Sequence, residues 1–153
     1  MRRRAVAFLV LALTAGACSG STTSSTAPAI ADVSDVHIFA ASVEAPAAGG
    51  AAQVVADLHN AGSTKDALVS ASCSCGGTAT LFEKGATKPT TSIALPSQKV
   101  VLFGPRGARI ELSDLAQPLT VGSTVTLTFS FATAAPAMAT AAVQPSGSPS
   151  PAT

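Results

Sequence analysis

Apolar and polar residues alternate along most of the chain after Asp35, with glycine, proline and asparagine at short intervals. The clearest stretch is Ser123–Thr133, in which valine, leucine and two phenylalanines take every second position and threonine and serine take the positions between. Successive side chains of a strand point to opposite faces of a sheet, so this alternation predicts a half-buried strand.

Eight further segments show the same alternation or a short apolar run, and turn-forming residues separate them. They are residues Asp35–Val43, Ala52–Asn60, Ala67–Ser72, Thr78–Glu83, Ser92–Leu95, Lys99–Phe103, Ala108–Leu112 and Ala139–Val143. No segment shows the sustained stripe of an amphipathic helix. Short strands joined by turns predict an all-β sandwich or small barrel of about seven to nine strands.

The first eighteen residues have the layout of a secretory signal. Three arginines precede an apolar run from Ala5 to Leu13, which is too short to span a bilayer, and small residues follow up to Ala17. The run Leu13–Cys18 (LTAGAC) resembles the lipobox of bacterial lipoproteins, in which the cysteine receives a diacylglyceryl group and the chain is cut before it. The resemblance implies a protein lipid-anchored at Cys18 to the cell membrane, facing the extracytoplasmic side. The alternative is a secretory peptide cut after Ala17, beside an incidental cysteine.

These patterns divide the chain into four parts. We expect a signal peptide over residues 1–17, a lipidated N-terminus with a flexible spacer rich in serine, threonine and alanine over 18–34, and a β-sandwich over 35–144. A disordered tail rich in proline and serine follows over 145–153. The lipid would be the membrane attachment, since no second apolar run approaches spanning length.

Removal of the signal peptide changes the formal charge of the protein. The nine lysines and arginines become six, while all eight aspartates and glutamates remain, so the mature charge is −2. Aromatic residues make up 4% of the chain, with no tryptophan or tyrosine. The absence of a basic patch and of stacking aromatics argues against a nucleic-acid partner.

The order of the segments resembles that of the periplasmic copper chaperones called PCu(A)C. The resemblance spans about Val36 to Val143 and is carried by short pieces in a shared order. These pieces are Val36–Glu44 (VHIFAASVE), Leu58–Gly62 (LHNAG), Leu68–Ser72 (LVSAS), Pro118–Val125 (PLTVGSTV) and Leu127–Phe131 (LTFSF). It implies a cupredoxin-like β-sandwich.

Members of that family bind Cu(I) through a histidine, a methionine about ten residues later and a distant His-x-Met. In this chain Phe82 stands at the first position, and Arg109-Ile110-Glu111 stands where the family has His-x-Met. Met138 is the one methionine after Met1, and it is out of register. The resemblance therefore carries over the fold but not the family's copper ligands.

Cys73 and Cys75 form a close pair of cysteines in the predicted domain. Thiolates are soft ligands suited to Cu(I), and residues i and i+2 of a strand point to the same side, so both sulfurs could face one ion. In an oxidising compartment a disulfide between the two is the ordinary expectation, although a bridge across one residue would be strained. A structural or labile disulfide, a metal or thiol-exchange site, and free or partner-linked thiols all remain open.

The two histidines are weaker candidates. His59 lies beside the Asn60–Ser63 turn and would be a third metal ligand if the fold brought it to the cysteines. His37 alternates with Val36 and Ile38 and is expected to be a surface or strand-packing residue. Neither histidine has zinc-ligand spacing to the cysteine pair, so a structural zinc site is not expected.

No sequence motif of an enzyme is present, and no catalytic residue is predicted. The leading hypothesis is a lipoprotein similar to copper chaperones, which binds Cu(I) at an altered site of Cys73, Cys75 and His59 and delivers it to a copper-accepting envelope protein. The first alternative is an envelope interaction or structural module on the same fold without metal. The second is a thiol-redox lipoprotein using the two cysteines.

Overall fold

The nine predicted segments are nine β-strands in the computed structural model, which describes residues 35–46 and 50–147. The strands are β1 (Val36–Ala45), β2 (Ala52–Asn60), β3 (Asp66–Cys73), β4 (Thr78–Phe82), β5 (Ile93–Leu95), β6 (Lys99–Phe103), β7 (Arg109–Ser113), β8 (Thr124–Phe131) and β9 (Ala137–Pro145). Each observed end lies within two residues of the predicted one. The predicted all-β class is therefore confirmed.

Strand β8 shows why these sequences form strands. Leu127 and Phe129 have no exposed surface and Phe131 is 8% exposed, while the threonines and serine between them point away from the core. Burial of a leucine or phenylalanine side chain stabilises a fold by about 1.5–3 kcal/mol. A two-residue period places all three side chains in the core only when the segment is extended.

The strands form one continuous path that curves into a nearly closed barrel. Their order is β4-β7-β2-β1-β9-β8-β3-β5, and β6 pairs with β2 outside this path. All pairs are antiparallel except β1 with β9. A bridge between Leu81 of β4 and Thr90, just before β5, brings the two ends of the path together. No helix in the described ranges is long and apolar enough to cross a membrane.

Strand β2 pairs with three other strands. One edge pairs with β1, while the other pairs with β7 through Ala52–Val54 and with β6 through Ala56–Asn60. Val54, Ala56 and Leu58 have no exposed surface, whereas Asp57 and His59 lie on the outer face. The side chain of His59 therefore lies on the face of the sheet that points away from the core.

Asn60 fixes the turn that follows β2. Its side chain is 1% exposed, and its Nδ2 donates to the carbonyl oxygens of Thr64 and Leu95, each at 2.9 Å. Its Oδ1 accepts from the backbone N–H of Gly62 at 3.0 Å. A buried amide is stable only with such partners, so this residue ties the β2–β3 turn to β5.

A bulge in β1 sets the register of its outer half. Ala40 adopts a left-handed backbone with φ 51°, and the pairing with β2 shifts by one residue between Phe39 and Ser42. On the N-terminal side of the bulge, His37 pairs with His59 and Phe39 pairs with Asp57. Because a one-residue shift exchanges the faces of a strand, the bulge decides which β1 side chains point outward.

Asp66, at the start of β3, binds the turn between β8 and β9. Its carboxylate oxygens accept from the backbone N–H groups of Ala67 at 2.7 Å, Thr133 at 3.0 Å and Ala134 at 2.8 Å. Burial acts to raise the pKa of Asp66, but these N–H donors outweigh it, so the pKa is lowered from its ordinary value. The ionised carboxylate therefore stabilises this corner of the fold.

All described residues belong to one compact unit, Ala31–Thr153. The signal peptide over 1–17, the lipid attachment at Cys18 and the whole spacer over 18–34 lie outside the described residues. Most of the predicted tail over 145–153 does so too, since description ends at Gly147.

Candidate functional site

The structure joins Cys73 and Cys75 in a disulfide, with their Cα atoms 5.0 Å apart. The chain turns within the bridge, because the N–H of Gly76 donates to the carbonyl oxygen of Cys73 at 3.0 Å. Gly76 and Gly77 have φ of 73° and 93°, which side chains with a Cβ rarely adopt. Their place directly after the second cysteine therefore allows the chain to turn back along β4.

The disulfide turn is held against β8 and partly covered by the core. The N–H of Ser74 donates to the carbonyl oxygen of Thr126 at 2.9 Å, and Ser74 Oγ accepts from the N–H of Thr126 at 3.0 Å. Cys75 is 7% exposed and belongs to the hydrophobic core, whereas Cys73 is only partly buried. Both sulfurs are used in the bridge, so a metal could bind them only after reduction.

The structure does not bring His59 to the cysteines. His59 lies near the end of β2, beside the turn that leads to Asp66 at the start of β3. Cys73 is the last residue of β3, and a strand of this length spans about 23 Å from its first residue to its last. Within the described ranges, no three histidine, cysteine, aspartate or glutamate residues form a group that could hold a metal. A three-ligand site of His59 with Cys73 and Cys75 is therefore not formed.

His59 instead lies against His37 and Phe39 on the outer face of the sheet. The ring centroids of the three side chains are 6.4 Å apart in every pair. His37 is exposed, as the strand pattern predicts. The direct pairing of His37 with His59 could not be derived from the sequence, because it depends on the bulge at Ala40.

Phe82, Arg109 and Glu111, which stand where the resemblance places copper ligands, meet at one place on the β4–β7 pair. Phe82 and Arg109 are register partners, and the Arg109 guanidinium carbon lies 4.8 Å from the Phe82 ring centroid. Arg109 Nη1 lies 3.7 Å from Glu111 Oε1, and its Nη2 donates to the carbonyl oxygen of Ala86 at 2.8 Å.

The cluster of Phe82, Arg109 and Glu111 contains the guanidinium cation of Arg109 and cannot serve as a copper site of the family's kind. A guanidinium keeps its proton at all ordinary pH values and has no lone pair to give a metal. The ring face and the carboxylate both attract its positive charge, so the three side chains stabilise one another. Where the resemblance places soft copper ligands, the structure therefore has a positively charged side chain held by its neighbours.

A family model described as "Putative lipoprotein LpqE-like" matches residues 31–143, which is most of the chain. The chain belongs to the LpqE-like family. The match covers the whole nine-strand sheet except the last two residues of β9. A search among curated proteins finds no match.

Solved structures similar to this LpqE-like domain include PCuAC domains. The apo PCuAC domain from PmoF1 is 27% identical, with a TM-score of 0.67 over 74% of this chain and 97% of that one. The copper-bound PCuAC domain from PmoF2 is 23% identical, with a TM-score of 0.64 over 72% and 93%. Apo-DR1885 from Deinococcus radiodurans is 21% identical, with a TM-score of 0.58 over 96% and 98%.

The comparisons confirm the family resemblance and the cupredoxin-like β-sandwich for this LpqE-like chain. It has a copper-chaperone type of domain.

Proposed function

We propose that the protein is a lipoprotein, anchored through Cys18 to the extracytoplasmic side of the cell membrane, that binds Cu(I) at Cys73 and Cys75 and passes it to a copper-accepting envelope protein. The LpqE-like match and the lipobox-like run support the anchor. The likeness to PCuAC domains supports the copper chemistry. The proposed activity is binding and transfer, without catalysis.

The adjacent sulfurs of Cys73 and Cys75 carry the proposal for the copper site. Thiolates are soft donors that suit Cu(I), whereas Phe82, Arg109 and Glu111, which stand where the resemblance places the family's ligands, offer no soft donor. Reduction of the disulfide frees two thiols that the turn at Gly76 keeps near each other, with Cys73 the more accessible. Two sulfur ligands leave Cu(I) open to ligands from a recipient protein.

An anaerobic Cu(I) titration against chelators of graded strength tests this site. The reduced protein should carry Cys18→Ser throughout, so that a third thiol does not contribute. We expect one Cu(I) per chain in the parent, loss of binding in Cys73→Ser and Cys75→Ser, and no change in the control Ser72→Ala, an exposed change beside the cysteines. Failure of the reduced parent to compete with a weak chelator would refute the copper proposal.

The second candidate is an envelope interaction module without metal. The observation that favours it is the guanidinium of Arg109, which is held by Phe82, Glu111 and the carbonyl oxygen of Ala86 where the resemblance places a copper ligand. In this case the reduced parent would bind no Cu(I), and the disulfide of the oxidised protein would serve only the fold.

The anchor has its own test, which does not depend on copper. Mass spectrometry of the mature protein should show an N-terminal Cys18 carrying a diacylglyceryl group. Cys18→Ser should release the protein from the membrane fraction, whereas the control Ser19→Ala should leave it attached. An unmodified N-terminus in the membrane-bound protein would contradict lipidation.

A further inference from the structure

Two imidazoles stand directly opposite each other on the outer face of the sheet. His37 in β1 and His59 in β2 are register partners, with ring centroids 6.4 Å apart and ring planes inclined by 36°. We propose that this pair is a surface site for a divalent transition-metal ion, with Cu²⁺ preferred. The site is separate from the cysteine pair and does not depend on the proposed Cu(I) function.

The separation of the two rings suits a shared ion. A metal held at about 2 Å by one nitrogen of each ring places the ring centroids about 5–6 Å apart. Directly opposed residues on one sheet face have Cβ atoms about 5 Å apart, so small side-chain rotations bring the nitrogens to a common point. His37 is exposed and His59 is partly exposed, which leaves both side chains free to rotate.

The surroundings of the pair differ from an ordinary solvated sheet face. Phe39 lies 6.4 Å from both imidazoles and is 47% exposed. On β6, Val100 pairs with His59 and is 53% exposed. This apolar border lowers the local polarity around a bound ion, which strengthens its attraction to nearby charge.

Asp57 adds a negative charge on the same face. It precedes His59 by two residues and is the register partner of Phe39. Its carboxylate need not ligate the ion, because a negative charge two residues from His59 on the same face already favours a cation. The combination of two imidazoles and a nearby carboxylate therefore favours a divalent cation over an anion.

The chemistry of the donors selects the metal. Imidazole nitrogen suits copper, nickel and zinc, and affinity among the divalent ions rises to Cu²⁺ and falls at Zn²⁺. Two protein ligands leave further coordination positions to water or to a ligand from another molecule. Because no cysteine takes part, binding should occur with the disulfide intact.

Cu²⁺ titration of the purified Cys18→Ser protein, with its disulfide intact, tests the proposal by electron paramagnetic resonance. We expect one bound ion per chain with two imidazole nitrogens, and weaker binding of Zn²⁺ at the same residues. His37→Asn and His59→Asn should each lower Cu²⁺ affinity at least about tenfold, since each removes one of two protein ligands. The control Lys65→Asn, an exposed change in the neighbouring turn, should leave the affinity unchanged.

Two results would overturn the proposal. One is unchanged affinity in either single-histidine variant; the other is coordination of Cu²⁺ by a single imidazole in the parent. Should a variant fail to fold, nuclear magnetic resonance of the parent with Zn²⁺ provides an independent measurement. The imidazole signals of both histidines should then shift over the same Zn²⁺ concentrations, and a shift of only one would also count against a shared site.

Substitution of both cysteines separates this proposal from the Cu(I) function. The Cys73→Ser, Cys75→Ser double variant should retain Cu²⁺ binding at the histidines while losing Cu(I) binding. Loss of Cu²⁺ binding in a folded cysteine variant would refute the histidine site and leave the Cu(I) proposal untouched.

Discussion

Arg109 lies over the ring of its cross-strand partner Phe82, with the guanidinium carbon 4.8 Å from the ring centroid. Both residues stand where the family resemblance places histidine ligands for Cu(I). The same guanidinium is 3.7 Å from Glu111, which stands where the resemblance places the methionine of His-x-Met. The three departures from the family pattern are therefore linked, since the ring and the carboxylate both favour the positive charge that the arginine introduces.

We predict that restoring the family's residue types at these three positions creates Cu(I) affinity. The variant Phe82→His, Arg109→His, Glu111→Met replaces a cation and a hard carboxylate by soft or borderline donors that suit Cu(I). Competition with a Cu(I) chelator, in a background with all three cysteines changed to serine, should detect a bound ion that the same background without the triple change lacks. Phe82→His alone is the matched control and should not bind, because Arg109 still fills the site.

Asp66 should make stability depend on acidity. Because the pKa of its carboxyl is lowered in the folded state, the ionised group stabilises the fold above its unfolded pKa, and this contribution is lost as pH falls through the folded pKa. Asp66→Asn should therefore lower the free energy of unfolding by about 1–3 kcal/mol at neutral pH. The difference from the parent should shrink below about pH 4. Denaturant unfolding across this range, with the exposed Glu83→Gln as control, measures it.

The stability of the protein should depend on which side chain stands at the bulge residue Ala40. A β-branched residue is strained at φ 51°, so Ala40→Val should destabilise the protein by about 1–3 kcal/mol. Ala40→Gly should be tolerated, because glycine adopts this conformation without strain. Ala94→Val, at an exposed strand position with ordinary backbone, is the control and should change the thermal midpoint little. An equal loss in both valine variants would mean that the left-handed conformation is not the cause.

Removal of the Asn60 side chain should be costly although the residue is small. Asn60→Ala deletes three hydrogen bonds and leaves the carbonyl oxygen of Leu95 without this donor. We expect a loss of about 2–4 kcal/mol in the free energy of unfolding, against almost none for the exposed Gln117→Ala. A loss below that of an ordinary surface substitution would show that water replaces the amide.

The strands could be predicted from the sequence because each one carries its own two-residue period. Leu127 and Phe129 identify β8 without any knowledge of its neighbours, and the buried face of β2 could be recognised in the same way. The pairing of His37 with His59 could not be predicted, since it depends on the extra residue at Ala40. The state of Cys73 and Cys75 was equally beyond the sequence, which allowed a bridge, a metal or free thiols.

Strand β2 takes part in three ladders, with β1 along one edge and with β7 and then β6 along the other. A residue inserted into or deleted from this strand would shift all three pairings at once and turn buried side chains outward. Differences in chain length between family members should therefore accumulate in the turns, while β2 keeps nine positions. An alignment of relatives would be anchored best on this strand.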